Sequence, residues 1–212
     1  MNNNFEPALA ALFAHLQAAV QLTFAGTATG GEATLAGVSS LSGLFAGLPV
    51  FGPGVQAGTV IEQVDAVDQI VTLSQPVTGN GGAGAFTTGF LTTGRRLKHW
   101  SEVKSQPAMF MRRTGVIDSD DPSSGYVMTT LECEVWIYCN AGTNPDVAPD
   151  SALAALEKMI RDSFQPDGDY GDTLFTLNGL VYWCRIAGRS DISPGDQGGQ
   201  AIARIPVKIT LP

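Results

Sequence analysis

The positive charges of this 212-residue chain are confined to its second half. Residues 1–94 contain no Lys or Arg, and all 12 basic residues lie between Arg95 and Lys208. Residues 22–90 are rich in Gly, Thr, Ser, Ala and Val, and short β-type runs alternate there with turn signals such as Gly52-Pro53-Gly54. A linker is the alternative, but linkers lack the Val, Ile, Leu and Phe that occur throughout this stretch. We therefore predict that residues 22–90 form a small all-β module inserted into a domain made of residues 1–21 and 91–212.

Outside the insert, the hydrophobic pattern predicts two helices. Apolar residues recur at helical spacing over residues 5–20, and Pro7 suits a first turn. A second apolar face covers residues 151–164, and Asp150 can cap its N-terminus. Together with the strands below, this order predicts an α+β fold in which an antiparallel or mixed sheet carries both helices on one face.

The clearest strand pattern covers Tyr126 to Cys139. It has period two, so the side chains fall on the two faces of a sheet. The face predicted to join the core carries Leu131, Cys133, Val135, Ile137 and Cys139. The opposite face carries Glu132, Glu134, Trp136 and Tyr138. A mixture of acids and large aromatics is typical of a surface that meets another subunit.

Further strands are predicted around this one. One covers residues 107–113 and is followed by an acidic turn over 118–125. Asn178-Gly179 is a strong signal for a hairpin between residues 174–177 and 180–186. A polar loop over 188–200 precedes a final alternating strand. Pro206 places that strand at an edge, or bulged, because proline cannot donate to a ladder.

Residues that could support catalysis or bind a metal are few. His15 and His99 have no Cys or His neighbour at zinc spacing, and no Gly-x-Ser-x-Gly elbow or Walker loop is present. The acidic turn could hold a divalent cation, but a solvated hairpin tip is preferred because turns attract Asp for local backbone reasons. Glu132 and Glu134 could form a general acid–base pair, although alternation alone produces such pairs. The sequence predicts no enzyme, no metal and no cofactor.

Charge, cysteine placement and hydropathy argue against a tight nucleic-acid binder, a disulfide-bonded protein and a membrane-spanning protein. A formal net charge of -8 argues against tight phosphate binding, which needs Lys and Arg to displace counterions. The three Cys lie in apolar strand patterns, which predicts buried, reduced thiols. No apolar run is long enough for a membrane span, and the N-terminus lacks the basic region of a secretory signal, so we expect a protein made in a cytoplasm.

Two parts of the chain resemble bacteriophage proteins. Residues 95–212 resemble the tail terminator (tail completion) proteins of long-tailed phages in the order of several segments, and residues 5–20 fit that family's first helix. The segments are Arg95 to Val103, Gln106 to Phe110, Leu131 to Tyr138, Asn144-Pro145-Asp146, the helix at 151–164, Leu177 to Ile186, and Gly195 to Ala203. The insert resembles a small β-module that recurs in phage structural proteins, through Gly26 to Leu35, Gly47 to Thr59 and Ile70 to Ser74.

The first resemblance implies a structural virion protein of the siphovirus neck. Terminators form a hexameric ring on the last ring of tail tube protein, end tube polymerisation, and join the tail to the head-completion or connector protein. The tape-measure end is a further expected partner, and DNA passes through the lumen without sequence-specific binding. The expected subunit and tube interface comprises Asp118, Asp120, Asp121, Glu132, Glu134, Trp136, Tyr138, Asp191, Asp196 and Gln197. Alternatives are a neck stopper or adaptor on the portal side, and a surface-binding module through the insert.

Overall fold

A computed structural model of the protein describes residues 5–120, 127–141, 150–167, 174–195 and 199–211. In these ranges, two helices and twelve strands confirm the α+β class. The helices are α1 (Glu6–Ala18) and α2 (Ser151–Ser163). The strands are β1 (Thr23–Thr29), β2 (Thr34–Ala36), β3 (Val50–Phe51), β4 (Ile61–Asp65), β5 (Ile70–Leu73), β6 (Gly81–Thr88), β7 (Thr92–Gly94), β8 (Ala108–Asp120), β9 (Val127–Asn140), β10 (Trp183–Ile186), β11 (Asp191–Ser193) and β12 (Gln200–Thr210).

Both helices lie where the apolar spacing predicts them. The buried residues of α1 are Ala8, Leu9, Leu12 and Leu16, and those of α2 are Leu153, Leu156 and Ile160. Asp150 occupies the N-cap of α2 as predicted, but its side chain makes no capping hydrogen bond. The buried side chains of both helices pack in one cluster with the inner face of the second sheet.

The first sheet is built entirely from the insert. Its six strands have the order β3-β6-β1-β2-β5-β4. The two outer strands meet as well, because Val50 N donates to Thr59 O (3.1 Å) and Ile61 N donates to Leu48 O (2.9 Å). The sheet therefore curls round an interior of its own, which includes Phe24, Leu35, Val71 and Phe86. This interior is continuous with the cluster under the helices, so an independently folding module stays a prediction.

The second sheet has the order β10-β12-β9-β8-β7, with β11 also paired to β12. The β7–β8 pair is parallel and the other pairs are antiparallel, so the sheet is mixed. Alternation along β9 buries the predicted face, and the alternate residues of β12 join it. The outer face carries Glu132, Glu134, Trp136 and Tyr138, as the pattern predicts.

Strand β8 is much longer than predicted. It continues past Arg113, through a bulge before Gly115, to Asp120. The predicted acidic turn therefore begins as strand: Asp118 pairs with Thr129, whose hydroxyl donates to the Asp118 carboxylate (2.8 Å). Residues 121–126, with Asp121, lie outside the described residues.

The hairpin predicted at Asn178-Gly179 is only half present. A turn forms there, but its first flanking strand does not, and only β10 follows it. Leu177 and Asn178 both have positive φ (52° and 59°), which takes the chain out of the extended conformation one residue early. The Asp167 carboxylate also accepts hydrogen bonds from Thr176 N and Asn178 N, in place of a ladder partner.

The prediction that the last strand lies at an edge, or is bulged at Pro206, is wrong, because its register with β9 runs without a shift through Pro206. Strand β12 lies inside the sheet, with β9 on one side and β10 and β11 on the other. Pro206 is tolerated because its carbonyl accepts from Ala187 N (2.9 Å), between the end of β10 and the start of β11. In an antiparallel strand the N and O of one residue point the same way, so the missing N–H faces this gap.

Candidate subunit interface

Glu134 is the hub of a charged network on the outer face of the second sheet. Antiparallel pairing places Arg112 of β8 opposite it, and Arg204 is a diagonal neighbour on β12. Arg112 Nε donates to Glu134 Oε2 (2.9 Å), and Arg204 Nη1 donates to Oε1 (3.3 Å). Both arginines remain partly exposed, whereas the Glu134 side chain is only 16% exposed. The network is thus a fixed, preformed surface rather than a loose set of charges.

Trp136 completes this network. Its indole N–H donates to Glu134 Oε2 (3.1 Å), and the guanidinium carbons of Arg112 and Arg204 lie 5.6 Å and 6.0 Å from its ring centre. Cation–π contacts at this distance hold both guanidiniums over the aromatic ring. Tyr138 stacks beside Trp136 at 6.4 Å but is buried, and its hydroxyl donates to Lys98 O (3.2 Å). Burial raises the pKa of Tyr138.

The predicted interface acids on this face are paired. Asp191 forms an ion pair with Arg204, and that hydrogen bond is the main cause that raises the pKa of Arg204. Glu132 pairs with Lys208 Nζ at 3.0 Å. Three carboxylates are therefore each paired with a cation, and Arg185, opposite Lys208 on β10, adds an exposed cation to the same face. Neither glutamate is placed as an unpaired acid or base beside a nucleophile.

A long hairpin arm extends from the same sheet. The sequence predicted a hairpin tip at the acidic turn but not that the first strand continues to Asp120. The arm comprises the outer parts of β8 and β9, over 114–120 and 127–132. It exposes Val116 (40%), Ile117 (45%) and Val127 (55%). The residues after Arg113 do not alternate between apolar and polar types, so only the antiparallel pairing with β9 reveals the strand.

Both edges of this sheet lack a partner strand among the described residues. Strand β7 pairs only with Ala108–Phe110 of β8, so the outer edge of β8 is unpaired from Met111 onward. On the opposite side, β10 and β11 pair as strands only with β12, but the outer edge of β10 is partly covered because Cys184 N donates to Phe175 O (2.7 Å). An unpaired edge presents a row of backbone donors and acceptors to another chain. Among the described residues, the edge of β8 from Met111 onward is therefore the longer open edge of this sheet.

The remaining predicted interface residues do not form one site. Asp118 lies on the arm, and the structure describes only the backbone of Asp120. Asp121, Asp196 and Gln197, like the Asn144-Pro145-Asp146 loop, lie outside the described residues. Of the ten residues, the structure brings together Glu132, Glu134, Trp136, Tyr138 and Asp191.

The two histidines show no catalytic geometry. His15 Nε2 lies 3.0 Å from Ser163 Oγ, but that hydroxyl donates to Ile160 O (2.7 Å), so its proton is already engaged. Burial against Phe164 and Phe175 lowers the pKa of His15. His99 is exposed and lies beside Trp100, with ring centres 5.4 Å apart and ring planes tilted by 38°.

Other chemical sites find no support in the described ranges. No group of three or more His, Cys, Asp or Glu residues is placed to hold a metal ion there. The three cysteines are buried, and desolvation raises the pKa of Cys133 to about 11 and of Cys139 to about 12. Over the same residues, no helix is long and apolar enough to cross a membrane.

Neither the protein-family models nor the curated proteins contain a match to this chain.

Proposed function

We propose that this protein is a structural subunit that assembles edge to edge with copies of itself, as the ring-forming tail terminator at the head–tail junction of a long-tailed phage. One observation carries the self-assembly: the unpaired outer edge of β8 continues into an arm that exposes Val116, Ile117 and Val127. In monomeric proteins, long edge strands with exposed apolar residues are normally protected from pairing with another chain by charged residues, prolines, bulges or a covering segment. An edge that is left open is suited to strand addition by another chain.

The second sheet can repeat such a contact around a ring. The edge of β8 and the edge of β11 lie on opposite sides of the sheet, so a contact between them is head-to-tail, and rotation between subunits closes a ring. The network of Glu134, Trp136 and the two arginines would then lie on one continuous face. The phage assignment itself rests on the ordered segments of residues 95–212 and on the first helix.

Assembly and tube capping test this proposal together. We expect the purified protein to form a ring, visible by negative-stain imaging and light scattering, and to limit tube length when mixed with tail tube protein. Ile117→Lys places a charge on the open edge and should abolish the ring while leaving the subunit folded. Phe51→Lys is the control, since Phe51 is exposed to a similar degree on the insert.

The outcomes separate the proposal from its alternatives. A protein that stays monomeric with and without tube protein, and leaves tube length unchanged, contradicts the proposal. A ring that binds portal but not tube protein points to a neck adaptor instead. Rings that tolerate Ile117→Lys place the contact elsewhere than on the arm.

A further inference from the structure

A short segment crosses the outer face of the second sheet and presents an exposed aromatic among cations. This basic platform covers residues 96–104 and includes the 3₁₀ turn Trp100–Glu102. Trp100 is 53% exposed, and Arg96, Lys98 and Lys104 are exposed around it in sequence. None of these three cations has an ion pair among the described residues, whereas Arg95, Arg112, Lys158, Arg161, Arg204 and Lys208 are each paired. Glu102 is the one acid within it.

The platform is held rigidly from below. Val103 is buried in a small cluster with Phe110 and Tyr138, and Leu97 packs against that cluster. The Tyr138 hydroxyl donates to Lys98 O (3.2 Å), and Gln106 Nε2 donates to Val103 O (3.1 Å). The backbone that carries the outward side chains is thus already ordered before binding, which lowers the entropy cost of binding. An exposed Trp on such a base is the type of residue that dominates interface energies.

The insert carries a surface of opposite charge with its own apolar centre. This acidic hairpin comprises β4, β5 and the turn between them. Val67 at its tip is 91% exposed, and Glu62 and Asp68 are exposed along it. Asp65 Oδ1 accepts from Val67 N (2.9 Å) and Asp68 N (3.2 Å), which fixes the tip. Residues 22–90 contain no Lys or Arg, and no ion pair involves these acids in the described part of the chain.

We propose that the basic platform binds the acidic hairpin of a second copy, with Val67 against Trp100 and the acids against Lys98 and Lys104. Both patches have an exposed apolar residue at their centre. Their charges are opposite, because cations surround Trp100 and acids surround Val67. Opposite potentials steer encounter and fix register, and the apolar contact adds affinity. The contact joins two different surfaces, so it is head-to-tail like the proposed ring. It rests on the proposed self-assembly and gives the insert a role in it.

This contact can be tested by reversing the charges of the basic platform, of the acidic hairpin, and of both together. Lys98→Glu/Lys104→Glu alone, and Glu62→Lys/Asp68→Lys alone, should each raise the dissociation constant for self-assembly at least about tenfold at low salt. Combining all four changes restores opposite charges and should return it to within about threefold of the wild type. Asp65 is left unchanged because it fixes the tip.

Matched controls come from α2. Lys158 and Asp162 are exposed partners of an i,i+4 pair, so Lys158→Glu and Asp162→Lys reverse similar charges far from either patch in sequence. They should change the dissociation constant less than about threefold. Sedimentation equilibrium at two salt concentrations gives the constants, and circular dichroism checks that each variant is folded.

Each other outcome has a definite meaning. A wild-type monomer contradicts the self-assembly and this contact together. The contact alone is overturned if neither charge reversal changes the dissociation constant. It is also overturned if the variant that combines all four substitutions fails to restore assembly. A short DNA duplex that binds the wild type and is lost with Lys98→Glu/Lys104→Glu, while assembly is unchanged, assigns the platform to nucleic acid and also overturns it.

Discussion

Phe86 is the position at which the domain organisation can be tested most directly. Its side chain is fully buried inside the first sheet and stacks on Phe24 with ring centres 5.9 Å apart. Backbone lies directly against the ring: a Cβ at Gly52 would be 2.4 Å from Phe86 Cδ1, and one at Gly26 would be 3.7 Å away. No flexible side chain at these glycines can move in to fill a cavity.

The cost of Phe86→Ala follows from this packing. Truncating a buried Phe costs about 3–5 kcal/mol, and the site should fall near the upper end because it cannot collapse. Loss of the aromatic pair contributes about 0.5–1.5 kcal/mol of that total. A unit the size of the insert has a free energy of unfolding on the order of 5 kcal/mol. We therefore expect Phe86→Ala to remove most of the insert's stability, so that a substantial fraction of the molecules has the insert unfolded.

Two measurements read out this change. Limited proteolysis with mass spectrometry should place new cleavages within residues 22–90 and leave the remainder protected. Circular dichroism at 222 nm should retain the signal of α1 and α2. Val67→Ala, at an exposed position in the turn between β4 and β5, should stay within about 0.5 kcal/mol of the wild type. Loss of helix signal together with the insert would refute the separate module, and a shift below about 1 kcal/mol would refute the packing estimate.

Three further predictions concern single groups. Glu134→Gln should lower the free energy of unfolding by about 1 kcal/mol, and less at high salt, whereas Asp162→Asn should cost under about 0.5 kcal/mol by the same denaturant titration. Because burial holds the pKa of His15 below its ordinary value of about 6.5, the unfolded chain binds the proton more readily. Stability should therefore fall as the pH drops from 7 through 6.5, and His15→Gln should lack that part of the fall in thermal midpoint. Cys133 and Cys139 should resist a thiol reagent at pH 8 until the protein is denatured, because burial raises the pKa of both thiols; rapid labelling of native protein would contradict this.

Periodicity allowed those parts of the fold to be predicted in which one face meets the core. The helices and β9 have one apolar face each, so spacing in sequence maps directly onto burial. The same reasoning placed Glu134 and Trp136 together on the outer face. It could not predict their partners, because Arg112 and Arg204 are brought to Glu134 only by the register of two other strands.

The predictions that failed have one cause in common, which is an interaction with a part of the chain distant in sequence. A proline excludes an interior position only when the neighbouring strands pair with the whole length of its strand. Here two separate short strands, β10 and β11, leave a gap opposite Pro206. The length of β8 depends on its pairing with β9, not on its own pattern. Asn178-Gly179 makes the predicted turn, but Asp167 takes the N–H groups of Thr176 and Asn178. In each case a partner distant in sequence decided the outcome.

Charge pairing changes how the acidity of this chain should be understood. On the outer face of the second sheet, Glu132, Glu134 and Asp191 are each paired with a cation, so these three acids add no unpaired negative charge to that face. The insert has four acids and no Lys or Arg, and accounts for half of the formal charge of -8. If the copies form a ring, the unpaired acids of the insert suit recognition of a basic surface on a neighbouring copy.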